Sequence, residues 1–323
     1  MRRILLSIMK ILVSGALLYF ALRKANFSDL TSRIDITSLF WIGLAIIVTF
    51  LQVFIGALRW REICADCAAP LTTTQAMRFN LIGSFFNQTL PSAIGGDAVR
   101  LWLLARTGAG WRAATYSVFV DRAVGLIALA TIVVASLPWS YKLIEDPAGR
   151  SALLFVGFAA LAAGVCFLIL GRLPWPWLKR WWGTQHFYAC SVIANRLIFS
   201  RDHGATLALL SLLIHVLAAV IAWCVARSIA APVSLEQVLQ LVPPVMLITM
   251  IPLSIAGWGI REASMGLAFG YAGLATSEGV NVSLLFGAVY FIVGAFGGLI
   301  WIFSAEKAAQ GILPIAIPDD GHV

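Results

Sequence analysis

Charge is what this sequence has least of: Asp, Glu, Lys and Arg make up 12% of its 323 residues, against 60% apolar types and a mean hydropathy of +0.90. A soluble domain carries roughly 25% charged residues. Half that amount cannot cover a water-facing surface of this size, whereas a lipid-facing surface needs none. The shortage excludes a soluble domain. Cysteine and histidine are also scarce, at five and four residues. Cys64-x-x-Cys67 has no second pair and no nearby His to complete a tetrahedral metal set, so the pair reads as free thiols facing a reducing compartment. His215, in the middle of an apolar run, reads as a hydrogen-bonded packing residue. No G-x-x-x-x-G-K-[ST] loop is present and no Ser, Cys or His stands beside a plausible base within a motif. Neither a cofactor, a metal nor an enzymatic activity is expected.

What is abundant is long apolar sequence. A helix needs about 20 mostly apolar residues to cross a bilayer core about 30 Å thick. Six stretches meet that length: Ile4 to Leu22, Leu39 to Leu58, Ala113 to Leu137, Ser151 to Leu170, Ala205 to Ser228 and Val282 to Phe303. The first, flanked by Arg2 and Arg3 and followed directly by Arg23 and Lys24, reads as an uncleaved anchor. The expected fold is therefore all-α, a polytopic membrane helix bundle of one domain, 1–315, with a short polar tail, 316–323. Net charge is +8, and in this setting its placement outweighs its sum, so nucleic acid is not an expected partner. With the spans alternating from a cytoplasmic N-terminus, the cytoplasmic face collects roughly twice the Lys and Arg of the outer face, which favours both termini inside. Arg59 and Arg61, flanking Trp60, read as an interface anchor. Residues 171–203, with Trp175, Trp177, Trp181 and Trp182 around Lys179 and Arg180, read as lying flat on the cytoplasmic surface, either as plain anchoring or as recognition of an anionic headgroup.

Two shorter apolar stretches, Phe79 to Leu90 and Val238 to Ile251, each run into a Pro and Gly cluster. The clusters superpose without a gap: Pro91-Ser-Ala-Ile-Gly-Gly-Asp-Ala-Val-Arg100 on Pro252-Leu-Ser-Ile-Ala-Gly-Trp-Gly-Ile-Arg261. Three full spans lie between the copies, so a segment entering from one side at the first copy enters from the other at the second. That is a probable inverted repeat with two re-entrant or broken segments. Pro removes a donor and Gly lets the chain turn, and both are tolerated at membrane depth only where protein or a wet cavity satisfies the freed backbone groups. The expected turn residues are Pro91, Gly95, Gly96, Pro252, Gly257 and Gly259. Such segments commonly place a binding region near the midplane where two halves meet. Arg100 and Arg261, one from each half, suit a phosphate, which makes the expected partner a membrane lipid with an anionic headgroup.

Other charges stand beside them. Asp121 and Arg122 fall roughly 13 Å into the third span at helical rise, where charge is costly and faces a cavity or a partner. Being adjacent, they cannot share a helix face and need separate neighbours. Asp97 stands one turn before Arg100, and Glu262 follows Arg261. These charges either hold the broken segments together or line a substrate route, and the sequence leaves both open. Asn87, Gln88 and Thr89 either satisfy the first turn or touch the ligand.

Phe85 to Arg100, the Asp121-Arg122 pair with Gly125, and Pro252 to Glu262 resemble the signatures of the lysylphosphatidylglycerol synthase transmembrane, or flippase-like, family, over about residues 5 to 305. Ser92 departs from the Gly that family members often carry after the first motif's Pro. The resemblance implies a multi-pass protein of the bacterial inner membrane linked to moving polar-headed lipids, anionic phospholipid or polyprenyl and hopanoid types. It also implies Asn87, Asp97, Arg100, Asp121, Arg122, Arg261 and Glu262 as substrate-binding residues. The full synthase carries a following soluble domain that transfers an amino acid to phosphatidylglycerol. This chain runs only to Val323, so that transfer is not expected. The alternative is a non-transporting partner of a lipid-synthesis enzyme or glycosyltransferase.

Overall fold

The computed structural model describes residues 35–90, 95–173, 181–250 and 257–304, and within them every regular element is a helix. The helices are α1 (Ile36–Asp66), α2 (Thr73–Thr89), α3 (Gly95–Leu104), α4 (Gly110–Leu143), α5 (Pro147–Arg172), α6 (Trp182–Ile198), α7 (Gly204–Ser228), α8 (Leu235–Thr249), α9 (Ile260–Tyr271) and α10 (Thr276–Phe303). Five runs are long and apolar enough to cross a membrane: α1, the continuous stretch Gly95–Leu143, α5, α7 and α10. They coincide with five of the six expected spans. The expected first span, Ile4 to Leu22, lies outside the described residues, as do Pro91, Pro252 and the polar tail.

Local chemistry sets the boundaries. Asp35 opens α1 by accepting the Ser38 N–H at 2.7 Å, and Asp146 with Pro147 opens α5 in the same way, each occupying donors that a helix start leaves free. The α2 helix stops at Thr89 because Leu90 precedes a proline and is held extended at φ −84°, ψ 141°, the conformation such a residue is forced toward. Between α3 and α4 a five-residue π-turn, Ala105–Ala109, carries Gly108 at φ +95° and leads into Gly110 at φ +77°. These are left-handed values that a side chain would strain. The chain thus breaks between α2 and α3 and again between α8 and α9, at the two places where Pro and Gly cluster.

A second internal match accompanies the breaks. Ala68-Ala-Pro-Leu-Thr-x-x-Gln75 links α1 to α2, and Ala230-Ala-Pro-Val-Ser-x-x-Gln237 links α7 to α8. Ala68 and Ala230 sit at φ +56° and +52°. Ala69 and Ala231 each donate to the carbonyl five residues back at 2.9 Å, and Thr72–Gln75 and Ser234–Gln237 form the same capping box. Packing follows suit: α1 lies against α7, α2 against α10 and α8 against α4, α3 against α4 and α9 against α10. The largest apolar core, with Ile221, Val225, Leu241, Val242, Phe269 and Phe286, knits α7, α8, α9 and α10 together.

Within residues 171–203, the stretch expected on the surface, α6 packs on α5, α4 and α7, while Trp181 and Trp182 at its start are exposed. Trp175, Trp177, Lys179 and Arg180 lie outside the described residues.

Candidate functional site

The first break places a charged helix start deep in the bundle. The α2 and α3 backbones touch: a Cβ on Gly96 would run into the Gly83 carbonyl and the Asn87 side chain. Asn87 Oδ1 accepts the Gly96 N–H at 2.9 Å, so its carbonyl end satisfies the turn and its NH2 end is left as the group for other partners. One turn on, Asp97 and Arg100 face α4.

There they join a continuous chain of charges. Asp97 accepts two hydrogen bonds from Arg122, at 2.7 and 2.6 Å, and one from Arg100 at 3.3 Å. Asp121 accepts from Arg100 at 3.1 Å and from Arg59 at 3.0 Å. Arg100 also stacks over Trp60 with its guanidinium carbon 4.1 Å from the ring centroid, a contact that favours a cation. Adjacent Asp121 and Arg122 therefore take different neighbours, as their helix geometry requires. Gly125, one turn further along α4, leaves room for the Arg59 guanidinium, and its carbonyl meets the His215 ring at 3.0 Å. His215 is a hydrogen-bonded packing residue.

Arg59 corrects the sequence reading. Rather than anchoring at the interface it is buried at 8% exposure and pairs with Asp121. The helix runs on to Asp66, eight residues beyond the Leu58 where the apolar stretch ends, so Arg59 still faces the bundle. That a helix outlasts its apolar run was the signal available. Arg61, by contrast, is part-exposed and bonds Thr73 and Glu62. Arg100 and Arg261, both counted with the surface charges of the sequence reading, are likewise buried.

The second break builds a smaller centre. Gly257 and Gly259 adopt φ +79° and +86°, and Glu262, fully buried, accepts the Gly259 N–H. Arg261 donates to Glu262 at 2.8 Å and to Ser283 at 3.0 Å, and Ser283 in turn donates to Glu262. A Cβ on Gly287 would occupy the space of the Arg261 guanidinium. Ser283 and Gly287 stand on α10 at the spacing of Asp121 and Gly125 on α4. On α4 the acceptor and the glycine one turn on receive Arg59 of α1, and on α10 they receive Arg261 of α9.

Beside these two centres lies a cavity of about 870 Å³. Its polar lining residues are Asn87, Gln88, Asp97, Thr115, Arg122, Thr249, Arg261 and Tyr290, and they share the wall with apolar residues that include Val118, Phe119, Leu126 and Ile127 of α4, Ala163, Gly164 and Phe167 of α5, and Phe187 of α6. The Arg122 side chain is 43% exposed there, whereas its partner Asp97 is 8% exposed. Of the expected site residues, Asn87, Asp97, Arg122 and Arg261 line the cavity, while Arg100, Asp121 and Glu262 lie behind the wall and support it. Sequence reasoning left out Thr249, Tyr290 and the lining role of the α5 and α6 apolar residues. Gln88, left open there, lines the cavity with a buried side-chain oxygen that has no hydrogen-bond partner among the described residues.

A profile of the lysylphosphatidylglycerol synthase TM region matches residues 7–298. No match was found among curated proteins or among solved structures.

Proposed function

The chain belongs to the lysylphosphatidylglycerol synthase TM region family and is a multi-pass membrane protein, and from that premise we propose that it moves a polar-headed, anionic lipid between leaflets through the 870 Å³ cavity. The observation that carries this is the mixed wall, in which the bonded pair Asp97 and Arg122 lines the same cavity as apolar side chains of α4, α5 and α6, the combination that a lipid headgroup with its chains requires. The volume lies toward the top of the range of about 300–1,000 Å³ seen for small-molecule sites, enough for a headgroup and the first part of its chains. In the charge chain three guanidinium groups, Arg59, Arg100 and Arg122, meet two carboxylates, Asp97 and Asp121. One positive charge is in excess, and the cation at the wall is Arg122. With Asp97 holding its Nε and one terminal nitrogen, the other terminal nitrogen is left to donate to a phosphate, next to the Asn87 amide.

The fold reading within this proposal is an inverted repeat of α1–α4 and α7–α10, each half contributing one re-entrant pair, α2–α3 and α8–α9. The matched Ala-Ala-Pro turns, the paired arginine sites and the paired helix contacts support it. We place the protein in a bacterial inner membrane with both termini cytoplasmic, on the charge bias.

Purified protein in liposomes, with fluorescent anionic and zwitterionic phospholipids and a leaflet-selective quencher, tests the function. Movement of the anionic lipid should fall by about tenfold or more in Arg122→Ala, the loss expected when a charge-assisted contact is removed. Movement unaltered in that variant sinks the reading. A wild-type protein that moves nothing and co-purifies with a lipid-synthesis enzyme or glycosyltransferase replaces it with a supporting role for that enzyme.

A further inference from the structure

The cavity lies at one of two contacts that the repeat makes equivalent. Under the proposed repeat, on which this inference rests, α2 corresponds to α8 and α10 to α4, so the seam between α2 and α10 is the counterpart of the seam between α8 and α4. The two are packed differently. On the α8–α4 side Met246 and Thr249 of α8 and Leu126 and Ile127 of α4 line the cavity, and Met246 and Leu126 also pack on the apolar cluster of Leu129, Val133 and Leu247 beside it. On the α2–α10 side there is no such space. A Cβ on Gly297 would run into the Leu81 carbonyl, one on Gly298 into the Phe85 ring, and one on Gly294 would crowd the Ser84 carbonyl at 3.3 Å.

The cause is written in the residues. Gly294, Gly297 and Gly298 stand on α10 where α2 crosses it, and the absence of side chains there lets the α2 backbone come into contact with α10. Both seams abut the same buried arginine centres, and packed interfaces of this kind move between discrete arrangements rather than deforming continuously.

We infer that the α2–α10 seam is the closed counterpart of the cavity, that opening it closes the α4–α8 side, and that the α10 glycines bias the protein toward the state seen here. The chain would then present its charge centre to one leaflet at a time, with the resting side fixed by three missing side chains rather than by ligand.

Reaction of single introduced cysteines with a membrane-impermeant thiol reagent tests this, in a background where Cys166, the one exposed native cysteine among the described residues, is Ser. Ala123→Cys reports on the cavity and Leu81→Cys on the seam. In the resting protein the first should react quickly and the second slowly. Adding Gly297→Val should raise the rate at Leu81→Cys and lower that at Ala123→Cys, each by about tenfold, as expected when an overpacked contact shifts a two-state balance. Gly298→Ala, whose methyl group meets the movable Phe85 ring first, should shift both rates in the same directions by a smaller factor, and it serves if the valine variant does not fold. Unchanged rates overturn the inference, and so does a rise at Leu81→Cys with no fall at Ala123→Cys, which would be local loosening. The readout needs no lipid: a protein that moves no lipid but swaps its accessibilities overturns the transport reading alone, and one that moves lipid without the swap overturns this inference alone.

Discussion

At the scale of single residues, Arg59 and Arg100 hold the bundle, Arg261 lines the cavity while buried among its partners, and Arg122 lines it with an exposed side chain. Arg59 and Asp121 are at 10% and 5% side-chain exposure, so removing the arginine leaves a buried carboxylate with Arg100 as its remaining partner. Arg59→Ala should lower the stability of the detergent-solubilised protein by about 3 kcal/mol, the loss typical of a broken buried pair, measured by thermal unfolding. Arg122, with its side chain at 43% exposure, also holds a buried carboxylate, since its loss leaves Asp97 only the Arg100 contact at 3.3 Å. Arg122→Lys keeps a cation beside Asp97 and is expected to change stability by no more than about 1 kcal/mol, while lipid movement falls because an ammonium lacks the planar fork that reaches two partners. If this variant loses as much stability as Arg59→Ala, the division between support and contact is wrong. Arg59 also shows where reading a sequence by its apolar runs fails: a run ends where hydropathy falls, but a helix ends where its backbone is capped, and here the two differ by eight residues.

At the scale of elements, both halves contain an alanine where glycine is preferred. Ala68 and Ala230 close α1 and α7 in the left-handed conformation, which costs a residue with a Cβ about 1–2 kcal/mol. Ala68→Gly and Ala230→Gly should therefore each stabilise the protein by about 1 kcal/mol, and a loss of stability in either would contradict the assigned turns. Thr72→Ala and Ser234→Ala remove equivalent caps and should each cost about 1 kcal/mol. The Gly96 and Gly257 positions, aligned by sequence, turn out to be glycine for different reasons. Gly96 lets two helices touch, whereas Gly257 carries a positive φ. A sequence pattern shows that a side chain is absent; only neighbouring atoms show whether space or backbone conformation required it.

At the scale of the whole molecule, the inverted-repeat reading makes α1 and α7 antiparallel, and so puts their matching turns on opposite faces of the bilayer. Pro70 and Pro232 are exposed at those turns. In sealed vesicles of one orientation, an impermeant thiol reagent should label Pro70→Cys from one side and Pro232→Cys from the other. Labelling of both from the same side would rule out the inversion. The arrangement also explains why a chain so poor in charge gathers charges at its centre: each is paired, and pairing is what makes ions tolerable away from water.

Composition and spacing by themselves determined the solvent, the all-helical class, five of the spans and the two interruptions, because hydrophobic length and proline–glycine chemistry act along the chain. They also marked Asp97, Arg100, Asp121, Arg122, Arg261 and Glu262 together, since charges in apolar sequence need partners, but not that these form two separate centres. Which of those charges faces open space was decided only in three dimensions. Arg122 lines the cavity and Arg100 does not, Arg59 joins the network from another helix, and α5 and α6 supply much of the apolar wall, because contacts between residues far apart in the chain depend on how helices pack and leave no local pattern to read.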